Sequence, residues 1–370
     1  MISNERLHSR KYSRKGYELM IQGKKYLQNL AIFAWVMVLL TGCGLSGKVQ
    51  EAKVEKKQYQ ASFLTLFDTV TTILGYAETE EEFEKITDTI YADLEKYHKL
   101  FDIYNDYEVN NIKTINDQAG IAPVEVDPAI IELLLDCKEY YELTGGKVNM
   151  AMGSVLSLWH EAREEGINNP ENAFLPDEEA LREAAGHCNI EDVVIDEEAS
   201  TVYLKDARMS LDVGAVAKGW ATEKVCQKAP EGLLVSVGGN VRATGPKPED
   251  ISWVVGIQSP WGDNSDYVHT LYVNQESVVT SGDYQRYYTV DGEIYHHLID
   301  PETLYPGKQW KAVSIVCEDS GLADALSTAL FLLPKEEGEK LVKQYDAFAC
   351  WIASEEEIYY SEGFEKIIKR

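Results

Sequence analysis

Basic residues are scarce in this 370-residue chain. The 35 Lys and Arg stand against 62 Asp and Glu, a formal net charge of −27. That balance argues against nucleic-acid binding, because phosphate contacts need clustered cations. An anionic ligand must instead be held locally, by a metal ion, a helix N-terminus or a few lysines. Cysteine is also sparse: there are six, none in CxxC spacing, which makes a zinc site improbable. There is no internal repeat and no low-complexity segment. The apolar run Leu30–Leu40 is eleven residues long, too short to cross a bilayer as a helix.

That short run has another use. Lys24 and Lys25 precede it, and it leads into Leu40-Thr41-Gly42-Cys43, the form of a bacterial lipobox. A charged region, a short apolar region and small residues before a cysteine suit an export signal. The Cys43 thiol would take a diacylglycerol, and a second acyl chain makes attachment stable. The plainer alternative is a cleaved secretory signal with a chance cysteine. On the lipoprotein reading, residues 1–42 are a signal peptide and the chain sits on the extracytoplasmic face of the cell membrane. Residues 43–60, rich in Lys, Glu and Gln, form a tether, and 61–370 form the folded domain. Five cysteines follow Cys43, an odd number that argues against a full disulfide set. Cys226, Cys317 and Cys350 lie in apolar runs and read as buried free thiols.

Periodicity gives an α+β pattern. Phe63 to Tyr76 reads as a strand. Phe83, Ile86, Ile90, Leu94 and Tyr97 share one helix face. Asp127-Pro128 opens a second helix that stops at Gly145-Gly146. Residues 160–180 are charged and read as a surface excursion. Strands dominate from Val193 onward, with helices at Val213–Gln227 and Leu322–Leu333. Arg286–Val290 and Glu293–Leu298 flank Asp291-Gly292, a strong hairpin signal.

Several segments break this patterning. Leu211-Asp-Val-Gly-Ala-Val-Ala-Lys-Gly219 reads as a strand end, an Asp at a cap position and a helix of small residues. Such a helix start favours phosphate, with Lys218 adding charge. A tightly packed helix with a solvated lysine would look the same. Asp324 and Thr328 are four apart on one helix face, and both are hard oxygen donors that suit Mg²⁺. An Asp placed for the helix dipole would also fit. His297 could act as a general base or be an ordinary strand histidine, and His296 must face the other way. Gly238-Gly239 allows a close approach or marks a turn.

Five ordered motifs together resemble the ApbE family, flavin transferases that move FMN from FAD onto a protein. They are Leu211-Asp-Val-Gly-Ala-Val-Ala-Lys-Gly, Ser236-Val-Gly-Gly-Asn, Thr280-Ser-Gly-Asp-Tyr, His297-Leu-Ile-Asp-Pro and Ala323-Asp-Ala-Leu-Ser-Thr-Ala. The resemblance implies an α+β fold of mixed or antiparallel sheets with inserted helices and a flavin-binding cleft. It implies FAD contacts from Asp212, Lys218 and Leu298. It implies Mg²⁺ held by the Ala215 carbonyl, Asp324 and Thr328, with Ser327 nearby, and proton transfer by His297. Lys147-Val148-Asn149 matches a FAD-contacting segment that usually ends in Phe-Asp, so Asn149 loses a charge there. Val70 stands where the family often has Met, and as an apolar residue it is implied to pack on the flavin. The implied acceptor signature, Asp-Gly-x-Ser/Thr-Gly-Ala-Thr, does not occur here, so the acceptor should be another protein. A Mg²⁺-dependent FAD pyrophosphatase would use the same site, and a non-enzymatic flavin-binding lipoprotein is a third reading.

Overall fold

The computed structural model describes residues 55–261 and 266–370. Cys43, the signal segment and most of the tether lie outside these residues. Lys57–Leu66 (β1) and Thr69–Ala77 (β2) form an antiparallel hairpin. The expectation of a single strand missed the turn, because Phe67 and Asp68 make it at φ of 53° and 52° without a glycine. Residues 57–60, given to the tether by composition, already pair with β2.

Glu80–Phe101 (α1) follows, capped by Thr79, and it buries Phe83, Ile90, Leu94 and Tyr97 as the periodicity predicts. Ile112–Asp117 (α2) and the two-residue strand Val124–Glu125 (β3) lead to Pro128–Leu143 (α3). The Asp127 carboxylate accepts from the Ala129 amide at 2.9 Å, and Pro128 occupies the first turn. Gly153–Asn168 (α4) runs through the supposed surface excursion. Its abundant charge hides an apolar stripe: Val155, Trp159 and Ala162 are buried. Glu178–Ala185 (α5), Val193–Asp196 (β4) and Thr201–Leu204 (β5) complete this half. Strands β3, β5 and β4 form a small sheet.

Ala217–Lys228 (α6) begins four residues later than expected, with Val216 at its N-cap. Asp212 therefore does not cap it. Then come Leu233–Val237 (β6), Asn240–Ala243 (β7), Trp253–Gln258 (β8), Tyr267–Val273 (β9) and Ser277–Gly282 (β10). Gly238 and Gly239, at φ of 58° and 94°, make the tight turn between β6 and β7. Tyr287–Val290 (β11) and Glu293–His296 (β12) are the expected hairpin. Ala312–Cys317 (β13), Ser320–Leu332 (α7), Lys335–Gln344 (α8), Phe348–Ile352 (β14) and Ile358–Tyr360 (β15) close the chain.

Eight strands form one sheet in the order β1-β2-β6-β7-β10-β13-β14-β15. Every pairing in it is antiparallel. One core cluster joins this sheet to the helices, with Trp220, Leu326, Phe331 and Trp351 deeply buried. A second involves the β8–β9 hairpin and Phe364. A third ties α4 and α5 to Tyr288 of β11. All five cysteines after Cys43 are free, and Cys137, Cys226, Cys317 and Cys350 are buried.

Candidate functional site

Helices α6 and α7 meet at a glycine. A Cβ on Gly219 would lie 2.3 Å from the Ser320 carbonyl oxygen and 2.5 Å from Asp324 Cβ. Only a residue without a side chain permits that approach. It lets the Gly219 amide donate to Asp324 Oδ2 at 2.8 Å. Nearby, buried Glu223 accepts from both Arg242 Nε (3.0 Å) and the Ser320 amide (2.8 Å), tying α6 to β7 and to the start of α7.

This junction is part of the floor of a cleft of about 730 Å³. Asp212, Ala215, Lys218, His297, Leu298, Asp324 and Thr328 all line it, as do Lys147, Val148 and Asn149. With Phe67 also in the lining, residues separated by up to 261 positions in sequence share one concavity. Asp324 is 5% exposed and Thr328 is 8% exposed. Burial holds the Asp324 carboxyl above its ordinary range, partly offset by Lys218 and the Gly219 amide. Asn240 turns its amide toward Asp324, yet its Nδ2 closes no hydrogen bond. An unsatisfied donor and a desolvated carboxylate side by side mark a place that favours a bound partner.

Asp324, the Thr328 hydroxyl and the Ala215 carbonyl are the groups here that could hold a metal. All are oxygen donors. Among the described residues, no cluster of three His, Cys, Asp or Glu is arranged to hold a metal ion. Ser327 does not join the site. It is fully buried, its Oγ donates to the Asp324 carbonyl at 2.9 Å, and it lies 2.8 Å from Ser281 Oγ. Ser281 itself lines the cleft.

His297 stands on the wall. Its amide donates to the Arg286 carbonyl at 3.1 Å, and its Nδ1 lies 3.3 Å from the same oxygen. A carbonyl can only accept, so Nδ1 carries the proton and Nε2 keeps the lone pair. Burial, with Arg286 and Lys218 close by, pushes the imidazole pKa down to about 3. His296 faces away as expected, with Nε2 2.7 Å from the Gly307 carbonyl.

Three other expectations need adjusting. Lys147 lines the cleft, but its ammonium is taken by Asp300 (3.0 Å) and Glu302 (2.9 Å). Asn149 spends its side chain on the Cys188 carbonyl and the Ala151 amide. Val70 is half exposed on β2 and is not part of the lining; Phe67, Asp68 and Thr69 of the preceding turn are. Asp212 does reach the cleft, but from an irregular turn, accepting from the Gly214 amide at 2.8 Å.

Several lining residues had no strong sequence signal. Asn240 and Ser281 lie inside quoted motifs, and Arg286 lies just beyond one. Tyr104, His160 and Arg163 belong to stretches that look merely polar. Tyr104 stacks on His160 with ring centroids 5.0 Å apart, and Arg163 lies 2.7 Å from His160 Nδ1.

An antiparallel-sheet α+β domain with an oxygen-donor floor, a lysine and a neutral imidazole in one cleft defines a ligand-binding fold suited to a phosphate ester. The comparisons with known proteins narrow it. A match to the ApbE family spans residues 67–352, and the chain belongs to that family. A protein of Treponema pallidum named FAD:protein FMN transferase is 35% identical over 68% of this chain and 73% of its own length. One of Klebsiella pneumoniae with the same name is 29% identical over 75% of this chain and 85% of its own. The crystal structure of the ApbE protein of Thermotoga maritima superposes with a TM-score of 0.74 at 31% identity, covering 85% of this chain and all of that one.

Proposed function

We infer that the protein is an FAD:protein FMN transferase. The observation that carries this is the single cleft in which Lys218, His297, Asp324 and Thr328 meet. In the reaction, a Ser or Thr hydroxyl of an acceptor protein attacks the phosphorus of the FMN half of FAD. The new P–O bond forms as the bond to the bridging oxygen breaks, and AMP leaves. His297 Nε2 takes the hydroxyl proton, because a neutral hydroxyl is a poor nucleophile. Lys218 supplies positive charge beside the diphosphate, while Asp212 and Leu298 position the flavin nucleotide. The bound dianion also offsets the cations that depress the imidazole, strengthening it as a base once substrate is in place.

Asp324, Thr328 and the Ala215 carbonyl would hold Mg²⁺. That ion would neutralise the diphosphate and the charge growing on the departing AMP. A strongly acidic protein can thus bind a dianion. We also propose that Cys43 is lipidated, which places the domain on the extracytoplasmic face of the membrane, within reach of membrane or exported acceptors.

The test is mass spectrometry of an acceptor incubated with the protein, FAD and Mg²⁺. Covalent FMN on a Ser or Thr supports the reading. Free FMN with AMP would instead show a pyrophosphatase, and unchanged FAD a binding protein. Full activity in excess chelator would remove the metal from the account.

A further inference from the structure

The cleft has a second cationic end, at its rim. Arg286 and Tyr104 are exposed there, and His160 and Arg163 are half-buried behind them. Among the described residues, neither guanidinium has a carboxylate within 4.0 Å. Asp212 is close enough to feel both guanidiniums, and Glu164 acts on Arg163 as well, but neither forms an ion pair with them, and the Asp212 carboxylate is engaged by the Gly214 amide. Arg163 is fixed by His160, on which Tyr104 stacks. In a chain with a net charge of −27, two guanidiniums held near each other without an ion pair are an exception. Burial and the neighbouring Arg286 pull the Arg163 guanidinium below its usual range, which an incoming anion would relieve.

We propose that Arg163 and Arg286 form an anion subsite for a carboxylate of the acceptor protein, close to the hydroxyl that is modified. The inference rests on the transferase reading. In an in-line displacement the attacking oxygen and the leaving group lie on opposite sides of the phosphorus. The buried floor around Asp324 and Thr328 suits the diphosphate and its leaving half. His297, which must face the attacking hydroxyl, is joined to Arg286 through that residue's carbonyl. The arginines therefore stand on the entering side. They also stand at the exposed rim, which a protein segment meets first. Guanidinium forks bind carboxylates in two-point geometry, so they fix the acceptor's register as well as its affinity. Without them the acidic surface would repel an acidic segment.

The test uses peptides bearing Asp-Gly-x-Thr-Gly-Ala-Thr, with Asp or Asn at the first position. Each is also made with the target Thr replaced by Val, so that it binds without being consumed. Calorimetry gives peptide affinity, fluorescence quenching gives FAD affinity, and in-gel fluorescence gives transfer. The expected result is roughly tenfold or more tighter binding of the Asp peptide to wild type. Arg286→Gln and Arg163→Gln should each erase most of that preference while FAD affinity holds. Arg286→Lys should restore part of it. Equal affinity for both peptides in wild type would overturn the subsite. So would a loss of FAD affinity in Arg286→Gln as large as the loss of peptide affinity. If wild type prefers the Asp peptide but transfers nothing to its Thr form, the subsite stands and the transferase reading falls.

Discussion

The Gly219 amide and the Asp324 carboxylate, 105 residues apart, meet at 2.8 Å across two helices. The contact sets where the Asp324 carboxylate sits in the cleft, and it depends on the missing side chain of Gly219. Gly219→Ala would push a methyl against backbone oxygen that cannot yield. We expect a loss of about 1–3 kcal/mol in stability, typical of overpacking. Weaker Mg²⁺ and FAD binding should accompany it. Thermal unfolding with and without both ligands checks this, and a variant that keeps the wild-type midpoint and ligand response would show that the helices have room.

His297 should separate chemistry from binding. His297→Gly should keep FAD affinity and lose about 10²–10⁴ in transfer rate. If it transfers FMN at the wild-type rate, the base lies elsewhere.

The same residue sets a pH dependence. Its folded-state pKa of about 3 lies below the ordinary 6.5, so the neutral form is favoured on folding. Its stabilising contribution is present above 6.5 and lost as pH falls through the window toward 3. Catalysis needs the same neutral form, so the acid limb of kcat/KM for the free enzyme should fall well below 6.5. A limb at the ordinary imidazole value would contradict the depressed pKa.

Lys218 carries no ion pair among the described residues and faces both Asp324 and His297. Lys218→Ala should weaken FAD binding by roughly tenfold or more, the scale of one lost charge contact of about 1.4 kcal/mol. Fluorescence quenching by FAD measures it. Unchanged affinity would return Lys218 to the role of a solvated surface lysine.

Much of this site could be read from the sequence because its residues sit in short motifs whose types are unusual for their element. Asp212, Lys218, His297, Leu298, Asp324 and Thr328 all reach the cleft. Ser327 was harder to place, because a helix brings neighbouring residues to different faces and its hydroxyl serves the helix backbone. Val70 follows a hairpin turn that lacks glycine, so the pattern reads Phe63 to Tyr76 as one strand and does not show that the turn residues, not Val70, line the cleft. Arg163 and His160 were obscured by the charge of α4, where polar residues outnumber the apolar stripe. Helix α6 starts four residues after the point the pattern predicts, because small residues look helical even when they form a turn.

Cys43 is tested in cells. Cys43→Ala should leave the membrane fraction or remain unprocessed. Equal retention and normal processing of the variant would refute lipidation.

The central claim is that FMN passes from FAD to a protein hydroxyl, and counting products tests it most directly. Protein, FAD, Mg²⁺ and an acceptor are mixed, and released AMP is measured against acceptor-bound flavin over time. The account predicts one AMP for each FMN bound, with both vanishing when the target Thr is replaced by Val. AMP accumulating at the same rate without an acceptor hydroxyl would contradict it, because water would then be the natural nucleophile.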